Sequence, residues 1–258
     1  MKGMDMCLAF GTETIYDNAS FVTEPTDKVG IVGVNGAGKT TLFRLLTREI
    51  QLDYGSLYVG NARVGLLPQE IIVDNPDVTV WEYMSEGRPI AKINAELEEI
   101  YKKLETAAED ETPRLLARMS RLQERNEYFE AYDADDILLD LAIEMDIDPD
   151  IFDKKMTELS GGQKSKVAFA RVLFSKPEIL CLDEPTNHLD VETKDFVTKY
   201  LKNYRGSVFI ISHDVDFLNI IVNKFCISIK LRTKFPFTTA TTTRIKRETR
   251  KSAATGNY

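Results

Sequence analysis

The string Gly33-Val-Asn-Gly-Ala-Gly-Lys39-Thr40 is the strongest chemical signal in this 258-residue chain. Its glycines let backbone N–H groups curl around an oxyanion with no Cβ in the way. The helix that follows adds the partial positive charge of its N-terminus. A lysine and a hydroxyl side by side at that terminus suit a nucleotide's phosphates and their Mg²⁺, with Lys39 reaching the β- and γ-phosphates and Thr40 ligating the metal. Gly33, Asn35, Gly36, Ala37, Gly38, Lys39, Thr40 and Thr41 are the expected cradle. Residues 179–184, Ile-Leu-Cys-Leu-Asp-Glu, read as a buried strand with two carboxylates at its carboxyl end, where ligands sit in sheets of this kind. Asp183 there would hold Mg²⁺ through water, and Glu184, pointing to the opposite side, would polarise an attacking water. A third string, Leu159-Ser160-Gly161-Gly162-Gln163, opens another helix. In isolation it reads as a serine cap. Beside the first loop it reads as a second anion-binding helix terminus, one that serves another molecule's nucleotide.

The elements that must hold these groups can be read from hydrophobic periodicity. Residues 6–10, 20–22 and 28–33 are strand-like, and Leu42, Leu45 and Leu46 share one face of the helix after the loop. Residues 57–59 and 64–67 look like a strand pair ending in Pro68-Gln69. From 79 to 145 the texture is rich in Glu, Lys, Arg, Leu and Ala, with no glycine after Gly87. Ile93, Leu97, Ile100 and Leu104 form one seam there. Leu115, Met119, Leu122 and Phe129 continue it, interrupted by Asn126. Asp110-Glu-Thr-Pro113 sits between them as a turn and helix start. The expectation is a charged antiparallel helical hairpin with limbs of ~20 residues, or ~30 Å. Alternating α/β texture returns afterwards: helix over 167–174, strand over 179–182, helix over 192–201, strand over 208–211 and helix over 215–222.

Composition narrows the function classes. Hydrophobic residues at 43% and charged residues at 29% indicate a globular chain, and no apolar run approaches membrane-spanning length. The first ten residues lack the apolar core of a secretory signal. Cys7, Cys181 and Cys226 are too far apart for a disulfide scaffold or a cysteine-rich zinc site, which fits a reducing cytosol. Residues 1–229 carry 25 Lys/Arg against 40 Asp/Glu. That acidic body disfavours a broad nucleic-acid footprint, and DNA is not expected as a partner. Residues 230–258 reverse the balance, with eight Lys/Arg against one Glu and little periodicity, and read as a frayed basic tail.

Taken in order, the Gly33–Thr40 loop, Gln69, the Leu159–Gln163 string, the Ile179–Glu184 strand, Asn187-His188-Leu189-Asp190 and Ser212-His213-Asp214 resemble an ATP-binding cassette ATPase domain over residues 5–228. The resemblance implies an α/β P-loop cassette: a mixed-sheet core with an antiparallel β subdomain and a helical subdomain. It implies ATP and Mg²⁺ as cofactors. Gln69 resembles the glutamine that touches Mg²⁺ and senses the γ-phosphate, His213 the switch histidine, and Glu184 the catalytic carboxylate. Ser160, Gly161, Gly162 and Gln163 resemble the signature that completes a partner's site. Asp190 falls in the loop that faces the partner cassette. Phe10, 29 residues before Lys39, stands where the family places an adenine-stacking aromatic. Tyr16 is the other candidate, although its apolar strand suits core packing. Of the two histidines, His188 reads as structural.

The string Glu184-Pro-Thr-Asn-His-Leu-Asp190, with the charged insertion between Gln69 and Ser160, resembles the first cassette of an ABC-F protein. These are soluble tandem-cassette ATPases that act on ribosomes. The resemblance implies a cytoplasmic protein whose arm approaches the tRNA sites. Its partners would be the ribosome, with rRNA and tRNA, and a second cassette bound head to tail, either as a homodimer or as a missing second half. The expected division is a cassette over 1–229, with the helical subdomain and arm at about 79–158, and a tail over 230–258. The family's pattern fades after about residue 223, so a truncated or frame-shifted product or a domain fragment is expected, one that binds Mg-ATP and hydrolyses it weakly alone. The rival readings are the ATP-binding subunit of a membrane transporter, which would dock on a permease, and a remnant without turnover. A GTPase is disfavoured because no Asn-Lys-x-Asp string is present, and a chromosome-maintenance ATPase needs a far longer coiled coil.

Overall fold

The computed structural model describes residues 1–33, 36–187, 189–227 and 237–239, with the backbone path alone for 225–227 and 237–239. The chain forms two compact units: residues 1–71 together with the chain from 177 onward, and residues 72–176.

The first unit contains two sheets. Strands β1 (Lys2–Phe10), β2 (Glu13–Val22) and β4 (Tyr54–Tyr58) make an antiparallel sheet in the order β2-β1-β4. The second sheet runs β5-β6-β7-β3-β8-β9. Its strands are β3 (Lys28–Val32), β5 (Val64–Leu67), β6 (Ile179–Asp183), β7 (Ser207–Ile211), β8 (Lys224–Ile227) and β9 (Phe237–Thr239). All of its pairings are parallel except β8 with β9. Every residue of β6 and β7 is buried, as expected for the centre of a parallel sheet. Helix α1 (Lys39–Leu46) packs Leu42, Phe43, Leu45 and Leu46 into a core shared with Met6, Leu8, Phe21, Ile31 and Phe209. Helices α7 (Val191–Asn203) and α8 (Val215–Ile221) complete the unit.

One expectation needs correction here. The segments read as a strand pair near 57–67 do not pair with each other: β4 lies against β1, whereas β5 enters the parallel sheet beside β6. The physical difference is burial. β4 is exposed at four of five positions and suits the edge of a sheet open to solvent, whereas β5 alternates buried and half-buried residues. The expected tail over 230–258 falls outside the described residues, except for 237–239, which form a strand against β8.

The second unit is helical: α2 (Val80–Ser85), α3 (Ile90–Leu104), α4 (Thr112–Tyr128), α5 (Ala134–Glu144) and α6 (Gly161–Phe174). Helices α3 and α4 form the expected hairpin, and its seam is the predicted one. Ile93, Leu97, Ile100, Leu122 and Phe129 are buried together, flanked by Leu104, Leu115 and Met119. The limbs have 15 and 17 residues rather than ~20. The chain leaves α3 before the turn begins, and α4 starts only at the segment holding Pro113, a residue suited to a first helical turn. Asn126, which breaks the apolar seam, donates to Asn94 of the facing helix at 2.7 Å, and Arg118 reaches Glu96 at 2.6 Å.

Candidate functional site

The sheet order β6-β7-β3 places the carboxyl ends of three adjacent strands side by side. Asp183 of β6 and Ile31 of β3 are both register partners of Ile211 in β7. The loops leaving these ends carry the glycine loop, Glu184 and His213, which is where an open parallel sheet binds ligands.

Gly36 and Gly38 adopt φ of 76° and 83°, the left-handed region that the loop needs in order to turn its N–H groups inward. At Gly38 no other residue fits, because a Cβ would stand 2.6 Å from Ile15 Cγ2. The Tyr16 hydroxyl donates to the Gly38 carbonyl at 2.5 Å from a buried position. Tyr16 therefore packs in the core and braces the loop from below, while Phe10 is exposed and lines the cleft above it. Lys39 curls back so that its Nζ donates to the Gly33 carbonyl at 2.9 Å. Burial lowers its ammonium from the ordinary lysine range, opposed by the Asp183 and Glu184 carboxylates.

Thr40 Oγ1 donates to Asp183 Oδ2 at 2.9 Å, joining the first helix to the acidic strand. Burial raises the Asp183 carboxyl, and the Thr40 hydroxyl, Lys39 and His213 act against that rise. A hydroxyl and a carboxylate this close are two hard oxygen donors, the set that suits Mg²⁺ when phosphate and water supply the rest. Among the described residues no group of three or more His, Cys, Asp or Glu could hold a metal ion.

Glu184 takes a positive φ of 51°, rare for a residue with a side chain, and its N–H donates to the Ile211 carbonyl at 2.8 Å. Its carboxylate faces His213, whose backbone N–H donates to Oε2 at 3.3 Å and whose Nε2 lies 3.4 Å from Oε1. Glu184 Oε1 is buried and makes no hydrogen bond, so it can still accept one.

Phe10, Gly36, Gly38, Lys39, Thr40, Thr41, Gln69, Asp183, Glu184 and His213 thus line one open cleft of about 560 Å³. Gly33 closes the loop through its carbonyl, and Ala37 is buried beneath it. Asn35 and His188 lie outside the described residues. Asp190 is the cap of α7, accepting from the Thr193 N–H at 2.8 Å. Asn187, which opens the Asn187–Asp190 string, lines the cleft too, and so do Glu13 and Ile15, to which sequence reasoning assigned no role. For Glu13 a signal did exist, because it faces Phe10 directly across the two-residue turn Gly11-Thr12.

The second anion-type terminus belongs to the helical unit. The Ser160 hydroxyl accepts from the Gln163 N–H at 3.3 Å, and Gln163 Oε1 accepts from the Ser160 N–H at 3.0 Å, a complete capping box. Ser160, Gly161 and Gln163 are exposed, and no atom lies within 4 Å of a Cβ placed on Gly161. The cap and the open first turn coexist, so the bland and the functional readings of this string are compatible.

The ABC transporter family model matches residues 16–187. Among curated proteins, the chain is 33% identical over 221 residues to an uncharacterised ABC transporter ATP-binding protein, YfmM, of Bacillus subtilis, covering 85% of this chain and 42% of that one. It is 35% identical over 212 residues to the energy-dependent translational throttle protein EttA of Mycobacterium tuberculosis, covering 82% and 37%. It is 32% identical over 215 residues to ABC transporter F family member 5 of Arabidopsis thaliana, covering 82% and 31%. The chain therefore spans about two fifths or less of the length of these relatives. Among solved structures, an ATP-binding subunit of an ABC transporter superposes with a TM-score of 0.70 at 15% identity, over 96% of this chain and 92% of that one. A dimeric ATP-binding cassette in a post-hydrolysis state with ADP and Pi superposes at 0.62 and 18%, over 92% and 97%; at these identities the two likenesses speak for the fold. Since a family model spans about two thirds of the chain and the ordered motifs meet in one folded cleft, this chain belongs to the ABC transporter family as an ATP-binding cassette resembling those of ABC-F proteins.

Proposed function

We propose that this chain is the Mg-ATP-hydrolysing cassette of an ABC-F-type protein that acts on the ribosome, through ATP-dependent pairing with a second cassette. The observation that carries the reading is the meeting, in one cleft, of the Lys39 loop, the Thr40–Asp183 contact and the Glu184–His213 pair. The ribosomal part rests on likeness to translational and F-family relatives and on the charged hairpin of α3 and α4.

Each residue has a physical task in this scheme. The loop N–H groups and Lys39 bind and orient the β- and γ-phosphates. Thr40 and Asp183 would hold Mg²⁺, which supplies charge neutralisation on the phosphates when bound. Phe10 offers an exposed ring for the base. Glu184 accepts a proton from, and orients, the water that attacks the γ-phosphate, with His213 holding its carboxylate in place. Gln69, which lines the cleft, would meet the metal and the γ-phosphate. The exposed terminus at Ser160–Gly162 would face the γ-phosphate of a partner cassette. Phosphoryl transfer depends on positioning and electrostatics, so a lone cassette should bind ATP well and turn it over slowly.

The test is Glu184→Gln, which keeps the shape of the side chain and removes the base. It should bind ATP and shift from monomer to dimer on a sizing column when ATP is added. In cells it should co-sediment with ribosomes. Recovery in the membrane fraction would favour a transporter subunit instead. A protein that stays monomeric at saturating ATP would refute self-pairing.

A further inference from the structure

Phe10 and Glu13 close the hairpin between β1 and β2. They are direct register partners across the two-residue turn Gly11-Thr12, with Gly11 at a φ of 61°. Directly opposite residues present their side chains to the same face, with Cβ atoms ~5 Å apart. Both line the cleft. Ile15, the unpaired residue where the register shifts between Leu8 and Ala9, also lines the cleft, against Gly38, the last glycine of the loop. The cleft lining therefore has an order along β2: loop glycine at Gly38, then Ile15, then Glu13 beside Phe10. A nucleotide with its phosphates in the loop would have its sugar over Ile15 and its base at the hairpin tip, with the ring on Phe10 and an edge within reach of the Glu13 carboxylate.

A carboxylate accepts hydrogen bonds and donates none. It welcomes an amine at the edge of the base and repels a carbonyl or a bare ring nitrogen. We propose that Glu13 is a specificity-determining residue, selecting nucleotides whose base carries an exocyclic amino group by accepting a hydrogen bond from it. This rests on the reading of the cleft as a nucleotide site, and the two fail separately in the experiment below.

The experiment is calorimetric titration of the whole chain with ATP, with purine riboside triphosphate, which differs only in lacking the 6-amino group, and with 2′-deoxy-ATP. The wild-type protein should prefer ATP to the amine-free analogue about tenfold, the size of one charge-assisted hydrogen bond at a solvent-accessible site. Glu13→Ala should bring that ratio to within about twofold and leave the ratio of ATP to 2′-deoxy-ATP unchanged. An unchanged amine ratio in Glu13→Ala overturns the proposal. So does a variant in which the deoxy ratio changes instead, which would make Glu13 a reader of the sugar. If ATP binds the wild-type chain no better than Lys39→Ala, the nucleotide reading of the cleft itself falls.

Discussion

Removing Arg88 should cost the helical unit much of its stability. Its side chain is only 2% exposed. Nε donates to the Phe174 carbonyl at the end of α6 at 2.7 Å, and an Nη donates to the Phe129 carbonyl at the end of α4 at 2.5 Å. The guanidinium lies 4.1 Å from the centre of the Phe174 ring, and Glu130 stands 3.6 Å away. Helix ends leave carbonyls unpaired, so one planar cation here satisfies two of them at once. Each hydrogen bond from a charged donor contributes ~1.5–3 kcal/mol, and the ring contact about 1 kcal/mol. Arg88→Met keeps the packed stem and strands both carbonyls. It also relieves the desolvation cost of a buried charge, so the net loss should be about 3–4 kcal/mol. For a unit of about 100 residues that lowers the melting temperature by roughly 12–20 °C. Arg88→Lys should rescue little, because Arg88 reaches the two carbonyls from two separate nitrogens of a planar fork, Nε and an Nη, and one ammonium nitrogen cannot stand at both positions. Calorimetric melting, with hydrogen exchange to locate the loosening at the ends of α4 and α6, is the assay. Melting of Arg88→Met within about 2 °C of wild type, or full rescue by lysine, would refute the reasoning.

Two further predictions concern the cleft. Lys39→Ala should weaken ATP binding about a hundredfold, because it removes a charge-assisted donor to the phosphates while the loop glycines stay intact; calorimetry or a fluorescent nucleotide reads this directly. Asp183→Asn should separate stability from binding. Burial raises the Asp183 carboxyl, so the native state holds that proton more tightly than the unfolded chain does. Between the ordinary carboxylate value and the raised one, stability falls as pH rises, and above that window the cost of the buried charge is fully present. The asparagine variant should melt at or above wild type at neutral pH without nucleotide, and it should lose that pH slope. The Mg²⁺-dependent part of its ATP affinity should drop about tenfold or more. Thermal scans from pH 3 to 7, with ATP titrations with and without Mg²⁺, check both halves.

The parts of the fold legible in the sequence are those that depend on neighbours close in the chain. The glycine loop sits between an apolar strand and an amphipathic helix, and β3 and α1 bracket it as expected. The hairpin seam follows from a 3.6-residue period, and both halves of it meet in one buried cluster. Strand partners were not legible, because pairing is decided across long separations. β4 and β5 are close in sequence and similar in length, yet Asp53 ties β4 to β1 by accepting from the Ala9 N–H at 2.8 Å. Glu178 anchors β5 beside β6 by accepting from the Arg63 N–H at 2.6 Å. Neither contact has a signature in the flanking residues.

The same distinction explains which chemistry could be read. Motif residues such as Lys39, Asp183 and His213 announce themselves because their task needs a particular residue at a particular spacing. Supporting residues do not, because their task is set by what the fold brings to them. Arg88 meets carbonyls 41 and 86 positions away in the chain, and a charged residue before a helical hairpin reads from sequence as solvated. Tyr16 is an intermediate case: its apolar strand marked it as a core residue, but only the folded chain shows that its hydroxyl holds the loop glycine from beneath. Glu184 was legible from the sequence as one of two carboxylates at the strand end, and the fold adds a second clue, a left-handed backbone that an ordinary side chain avoids unless its surroundings impose it. The strained turn aims the carboxylate at His213 and back over the cleft. A strand continuing in extended geometry would have sent it to the other face of the sheet.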